Sequence, residues 1–189
     1  MVRKLVYFVA TTLDGFIADE NDGYEAFSFD GPEAVDLVAE FPEMIPTHVR
    51  GPLGIDGPNL RFDTVIMGRR TYDAGIPHGV ISPYQHLRQL VASTSPEGAQ
   101  GTEVEVVADP VAAIRELKAR PGKDIWLPGG GRLAAALADE IDEVILKIHP
   151  LVFGAGIPLF GPLGAPRRLS VTNRRVYDSG FSIVRATWS

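Results

Sequence analysis

The chain has 189 residues, of which 45% are hydrophobic, and a formal net charge of −6. That is enough apolar material for one full core, and the acidic balance excludes a protein that binds nucleic acid through a broad basic face. The absence of cysteine excludes disulfides, thiolate catalysis and cysteine-based zinc or iron–sulfur centres.

In chain order, the first apolar run, Val2–Thr11, enters a polar turn at Thr11-Thr12-Leu13-Asp14-Gly15. The run is short and has no small-residue cleavage site, so it reads as the first strand of a cytoplasmic protein and not as a secretory signal. No apolar run approaches the roughly 18 residues of a membrane span, and no membrane partner is expected. Asp14 either meets a substrate or shapes its own turn, because Asp-Gly favours tight turns.

Pro32 to Phe41 carries Val35, Leu37, Val38 and Phe41 as a short amphipathic helix. Val35, Val38 and Phe41 are expected to face the core, with Asp36 at the border of that stripe. Pro42–Asp63 is rich in glycine and proline and lacks periodicity. At that length it is expected to be a loop that shapes a site or an oligomer contact.

Thr64–Gly68 is a strand ending in glycine, after which Arg69-Arg70-Thr71-Tyr72 starts a helix. The strand Gln89–Ser93 runs into three hydroxyls, Ser93, Thr94 and Ser95, which can hydrogen-bond a ribose or a phosphate. After the strand Glu103–Ala108, Asp109-Pro110 gives an N-cap followed by proline at the first helical position. Val111, Ile114 and Leu117 recur at helical spacing, and Pro121-Gly122 closes the helix.

The most informative stretch is DIWLPGGGRLAAAL, Asp124 to Leu137. A strand (Asp124–Leu127) meets three glycines (Gly129, Gly130, Gly131) that open the alanine-rich helix Leu133–Ala138. Glycine lets backbone N–H groups approach a ligand closely, and a helix start offers unpaired donors to a phosphate. Arg132, in the first turn, is poorly placed for helix stability and well placed for an anion. A glycine run after a strand can also be only a tight turn. The segment satisfies G-x-G-x-x-A through Gly129, Gly131 and Ala134. Its place two-thirds along the chain, with Lys147 and His149 where an acidic residue would follow, argues against the usual dinucleotide arrangement.

Lys147 is the odd charge in the apolar strand Glu143–His149, either an end residue in water or a substrate group. Ser170–Tyr177 and Phe181–Thr187 are joined at Asp178-Ser179-Gly180 as a hairpin. The alternation predicts a single α/β domain over residues 1–189. Its sheet should be mixed and largely parallel, with helices on both faces and an antiparallel hairpin at the end. Trp126 and Trp188 are expected in the core. His48, His78, His86 and His149 show no paired ligand spacing, so no metal site is expected. No Ser-His-Asp spacing or nucleophile elbow supports a hydrolase.

Taken in order, TTLDGFIA, VIMGRRTY, LVAST, WLPGGGRL and VILKIHPLVFGAGIPLF resemble the dihydrofolate reductase superfamily over nearly the whole chain. The likeness is closest to the branch containing the reductase domain of the bifunctional deaminase-reductase of riboflavin biosynthesis. TLDG-x-IA and the late G-x-G-x-P-L-F (Gly154 to Phe160) are the marks of that branch. The resemblance implies that Gly68, Arg69, Arg70 and Thr71 hold NADPH phosphates and that Ser93, Thr94 and Ser95 surround its 2′-phosphate. It likewise sets Gly129, Gly130, Gly131, Arg132 and Leu133 against the pyrophosphate, and has Ala10 and Ile17 line the nicotinamide. Arginine beside a 2′-phosphate is the physical reason to prefer NADPH over NADH. Asp36 matches, one residue out of step, the acid that binds pterin in dihydrofolate reductases. Phe8 stands where riboflavin reductases carry a lysine.

The function so implied is an NADPH-dependent reductase passing hydride to a small heterocycle. The acceptor is pterin-like or an aminopyrimidine such as 5-amino-6-(5-phosphoribosylamino)uracil, with a proton from water, Asp36 or Asp14. The branch implies a homodimer. A non-catalytic NADP(H)-binding sensor or partner module on the same fold is the alternative.

Overall fold

The computed structural model describes residues 2–95 and 103–189. The chain begins with β1 (Leu5–Thr12), the short β2 (Phe16–Ala18), α1 (Pro32–Glu40), a 3-10 turn at Pro42–Met44 and the one-turn α2 (Thr47–Arg50). Then come β3 (Phe62–Gly68), α3 (Arg69–Asp73), β4 (Arg88–Ala92), β5 (Val104–Val107), α4 (Pro110–Lys118), β6 (Asp124–Leu127) and α5 (Gly131–Ala136). The last elements are β7 (Ile141–His149), β8 (Ile157–Pro158), β9 (Leu169–Val176) and β10 (Ser182–Trp188).

Eight strands form one sheet in the order β5-β4-β3-β6-β1-β7-β10-β9, while β2 and β8 pair separately. Every neighbour pair from β5 to β7 is parallel, and β10 and β9 add the antiparallel hairpin. The expected mixed, largely parallel sheet is therefore the architecture found. β1 lies inside the sheet with both faces covered, which is why its sequence is nearly continuous apolar. Leu5, Tyr7 and Val9 pack with Ile114 and Leu117 of α4 and Leu133 of α5 on one face. Val6 and Phe8 pack with Leu37, Phe41, Phe62 and Trp126 on the other.

Local signals account for the elements. Asp109 caps α4 by accepting a hydrogen bond from the Ala112 N–H at 2.9 Å, as the Asp-Pro pair predicts. α1 forms where expected, with proline in its first turn, but its buried face differs from the expectation. Glu33 and Leu37, four residues apart, and the cap Phe41 point inward, while Val35 is 71% exposed. Val35 lies two residues, about 200°, from Leu37 around the helix and so falls on the outer side.

The Pro42–Asp63 segment is not structureless. The buried Arg50 guanidinium donates to Pro42 O at 2.6 Å and Gly57 O at 3.2 Å, tying the segment to itself. The buried Glu43 carboxylate accepts from the Arg61 and Phe62 N–H groups at 2.6 and 3.2 Å and fixes the entry to β3. Trp126 is buried as expected. Trp188 is only partly so, packing against Phe160 with Arg167 over its ring. Among the described residues no helix is long and apolar enough to cross a membrane.

Candidate active site

The carboxyl ends of β1, β3, β4 and β6 open into one cavity of about 1140 Å³, at the edge where an α/β sheet gathers its ligands. Its two ends differ in chemistry. At one end the N-termini of α3 and α5 meet. Gly68 caps α3 and Gly130 caps α5, and neither helix start receives a side-chain hydrogen bond. A Cβ built on Gly130 would lie 3.5 Å from Thr71 Oγ1, and one on Gly68 would lie 3.9 Å from the Leu133 Cβ. The two helix starts thus face each other across a narrow gap flanked by Gly68 and Gly130, with Thr71 Oγ1 and the Leu133 Cβ as the nearest side-chain atoms. Their first N–H groups have no intrahelical acceptor. Both helices are short, five and six residues, so direct N–H donation outweighs any macrodipole here.

Two of the three glycines do different work. Gly130 has φ +91°, a conformation closed to most side chains. A Cβ on Gly131 would sit 2.2 Å from Pro158 O, so that glycine is demanded by packing of α5 against β8. The expected ligand turn is therefore partly a structural turn.

The arginines are tethered unequally. Arg69 donates to both carboxylate oxygens of Asp73 at 2.8 Å. Arg70 pairs with Asp22 at 2.5 Å, and Asp22 comes from the segment after β2. Arg132 is exposed, lines the cavity and has no acidic partner among the described residues. Ala10, Ile17, Gly129 and Leu133 also line the cavity. β4 ends at Ala92, the last cavity residue of that strand. Beyond it Ser93 Oγ donates to Ser95 O at 2.9 Å and accepts from the Ser95 N–H at 3.1 Å. Ser93, Thr94 and Ser95 thus form a turn next to the cavity without lining it.

The other end is aromatic. Phe8, Tyr24, Phe27, Met44, Tyr84 and Trp126 line it. Trp126 Nε1 donates to Phe8 O at 2.9 Å, and the Tyr84 ring meets the Trp126 ring edge-on at 4.9 Å. Lys147 also lines this cavity, with Nζ 4.8 Å from the centre of the Phe8 ring. Burial pulls its pKa from the ordinary lysine value down to about 8. His149, two residues on, is wedged against Phe27 at 4.9 Å and Phe181 at 4.8 Å. Burial and then the nearby Lys147 charge push it down to about 4.

Neither proposed acid reaches this chamber. Asp36 is exposed, lies outside the cavity lining, and accepts from Tyr177 Oη at 2.8 Å and Arg175 at 3.2 Å. The inward face of α1 is set by Glu33, Leu37 and Phe41, which turns Asp36 toward the hairpin. Asp14 clamps its turn by accepting from the Thr12 hydroxyl and from the Phe153 and Gly154 N–H groups. The Thr12 hydrogen bond, aided by those N–H groups, holds its carboxyl below the usual range, the wrong direction for a proton donor. His86 is held by Thr47 and the Glu43 carbonyl, and His48 and His78 stand apart on the cavity wall. No group of His, Asp and Glu among the described residues could hold a metal ion.

Sequence reading missed the aromatic chamber and Asp22. Both arise from residues scattered over five segments, with no spacing to betray them. The one available signal was Lys147, a charge in an otherwise apolar strand.

Residues 83–183, a little over half of the chain, match the family described as the RibD C-terminal domain. The chain is also 32% identical to the uncharacterized protein YwjB of Bacillus subtilis (strain 168), covering 97% of each. The protein belongs to the RibD C-terminal domain family. A putative riboflavin biosynthesis protein from Shewanella sp. PV-4 shares the fold at a TM-score of 0.70 and 24% identity, over 98% of this chain and 99% of that one. So does dihydrofolate reductase from Enterococcus faecalis, solved with NADP(H), at a TM-score of 0.66 and 15% identity over 98% and 96%. The dihydrofolate-reductase-like fold expected from the motifs is the fold observed.

Proposed function

We propose that the protein is an NADPH-dependent reductase that passes hydride to a small heterocycle. The observation that carries this reading is the pair of helix starts without side-chain caps, each opened by a glycine and facing the other across a narrow gap, continuous with an aromatic chamber. Dinucleotide phosphates fit the gap, where backbone N–H groups of α3 and α5 and the Arg132 guanidinium can bind them. Gly68, Arg69, Arg70 and Thr71 form one wall and Gly129 to Leu133 the other. Ala10 and Ile17, between the two ends, suit the walls of a nicotinamide pocket. Ser93, Thr94 and Ser95, just beyond the rim, suit the neighbourhood of a 2′-phosphate. A bound nicotinamide supplies the hydride, and the chain's task is to orient both rings and exclude water. Since Asp36 and Asp14 do not reach the chamber, the proton for the acceptor comes from water or Lys147.

Fluorescence titration with NADPH and NADH tests the reading. NADPH should bind more tightly, because losing a charge-assisted contact to the 2′-phosphate costs roughly 1.5–3 kcal/mol. Equal affinities would remove the NADP assignment, and no binding of either would remove the reductase. Oxidation of NADPH with a panel of pterins and aminopyrimidines then separates an enzyme from a non-catalytic NADP(H) binder.

A further inference from the structure

We propose that Lys147 is the substrate-recognising amine of this site. The acceptor it selects is a planar ring whose edge carries carbonyl oxygens or delocalised negative charge, not one with an amino-donor edge of the pterin type. This rests on the reductase reading, which gives the aromatic end of the cavity to the acceptor.

Lys147 is no strand-end residue in water. It sits within β7, paired with Ala10 of β1 on one side and Ile183 of β10 on the other. Side chains alternate along a strand, so Ile145, Lys147 and His149 share a face. Ile145 belongs to the core with Phe8 and Phe41, which places Lys147 one step above that floor. Its Nζ lies over the Phe8 ring. A ring face is a weak counter-ion for a largely buried ammonium, and no carboxylate pairs with Lys147 among the described residues. His149 adds no second cation at neutral pH, because its surroundings keep it uncharged.

The charges around the cavity are lopsided for a protein of net charge −6. Among the described residues Arg69, Arg70, Arg132 and Lys147 line it, against one lining carboxylate, Asp22, which is bonded to Arg70, while Asp73 just outside the lining holds Arg69. Among the described residues the aromatic end therefore offers a stacking surface and an amine donor but no acidic acceptor. A ring presenting amino groups would bring donors against a donor. A ring presenting carbonyl oxygens or an enolate gives Lys147 the charge-assisted hydrogen bond the fold leaves unmade. The ring faces meanwhile pack on aromatic side chains.

Isothermal titration of the whole protein, without cofactor, with barbiturate anion and with 2,4-diaminopyrimidine tests this. Barbiturate should bind at least tenfold more tightly than the diaminopyrimidine. Lys147→Met should weaken barbiturate at least tenfold, and Lys147→Arg should restore most of that loss. Thermal melts of both variants establish that they are folded, and Lys147→Arg keeps the charge if Lys147→Met fails to fold. Preference for the diaminopyrimidine, failure of barbiturate to bind, or equal barbiturate affinity in folded Lys147→Met would each overturn the assignment. The cofactor titration is separate. If NADPH fails to bind while the barbiturate results hold, the reductase reading falls and the recognition by Lys147 stands.

Discussion

At the glycine–arginine end of the cleft the chain offers a ligand its own backbone, and at the aromatic end it offers side chains. The first end needs residues to be small. Gly68 and Gly130 keep a gap open between two helix starts, and Gly131 lets α5 dock on β8. The second end needs residues to be large: Phe8, Tyr84 and Trp126 build a wall on which one amine is mounted. The comparison teaches why the two ends should tolerate change so differently. Adding a methyl group at Gly131 meets fixed backbone, whereas trimming the second end leaves space that neighbouring side chains can partly fill.

The sharpest way to break the contrast is at the glycines. Gly131→Ala puts a methyl group against the Pro158 carbonyl, a backbone atom that cannot swing away. Stability should fall by about 1–3 kcal/mol or more, and cofactor binding should fall with it. The Cβ that Gly130→Val adds meets only ordinary contacts, but the residue must adopt a positive φ, a strain on the order of 1–3 kcal/mol. The protein should still fold, with NADPH affinity lost. Urea denaturation beside cofactor titration reads both. Normal NADPH binding in folded Gly130→Val would make the glycine run purely structural.

A smaller effect sharpens the arginine side. Arg69 and Arg70 are engaged by Asp73 and Asp22, while Arg132 has no such carboxylate among the described residues. Arg132→Ala should weaken NADPH by roughly 1.5–3 kcal/mol with stability nearly unchanged. Arg69→Ala should cost less affinity. The reverse order in titration would mean that the ion pairs exchange for phosphate freely.

At the aromatic end the informative variable is pH. His149 is held down to about 4 from its ordinary 6.5. Between those values the unfolded chain binds a proton that the folded chain refuses. Its contribution to stability is therefore complete above about pH 6.5 and is lost as pH falls toward 4, with a slope of at most about 1.4 kcal/mol per pH unit. His149→Gln should flatten that part of the acid slope, measured as urea midpoints at pH 7 and 4.5. An unchanged slope would place the imidazole in water.

The smallest effect lies outside both ends. Asp36 makes an exposed ion pair with Arg175, worth about 0–1 kcal/mol. Asp36→Asn should change neither NADPH affinity nor turnover. Lost turnover with the fold intact would bring Asp36 back as the acid.

Legibility followed the same division. The glycine–arginine end was readable as strand, turn and helix start because its parts are local: VIMGRRTY and WLPGGGRL each carry all three within a few residues, and backbone chemistry depends on such neighbours. The placing of Asp36 failed for a related reason. A nine-residue helix with apolar residues at Val35, Leu37 and Val38, and Phe41 at its cap, fits two stripes about equally well. The burial of Glu33, a polar residue, decided between them.

By itself the sequence determined the α/β alternation, the cap and proline that start α4, the closing hairpin and the two glycine-lined strand ends. Each is set by dihedral preference, hydrogen bonding or periodicity over a short span. Only the tertiary structure decided that Asp22 would meet Arg70, that Asp14 would fasten a turn, and that Lys147 would stand inside a ring-lined chamber over Phe8. Those outcomes depend on strand order. β6 is inserted between β3 and β1, and β7 lies on the other side of β1, so Asp14 meets Gly154 and Lys147 meets Phe8 across more than a hundred positions, and Asp22 meets Arg70 across 48. No local preference encodes that proximity; it comes from burying both faces of one sheet at once.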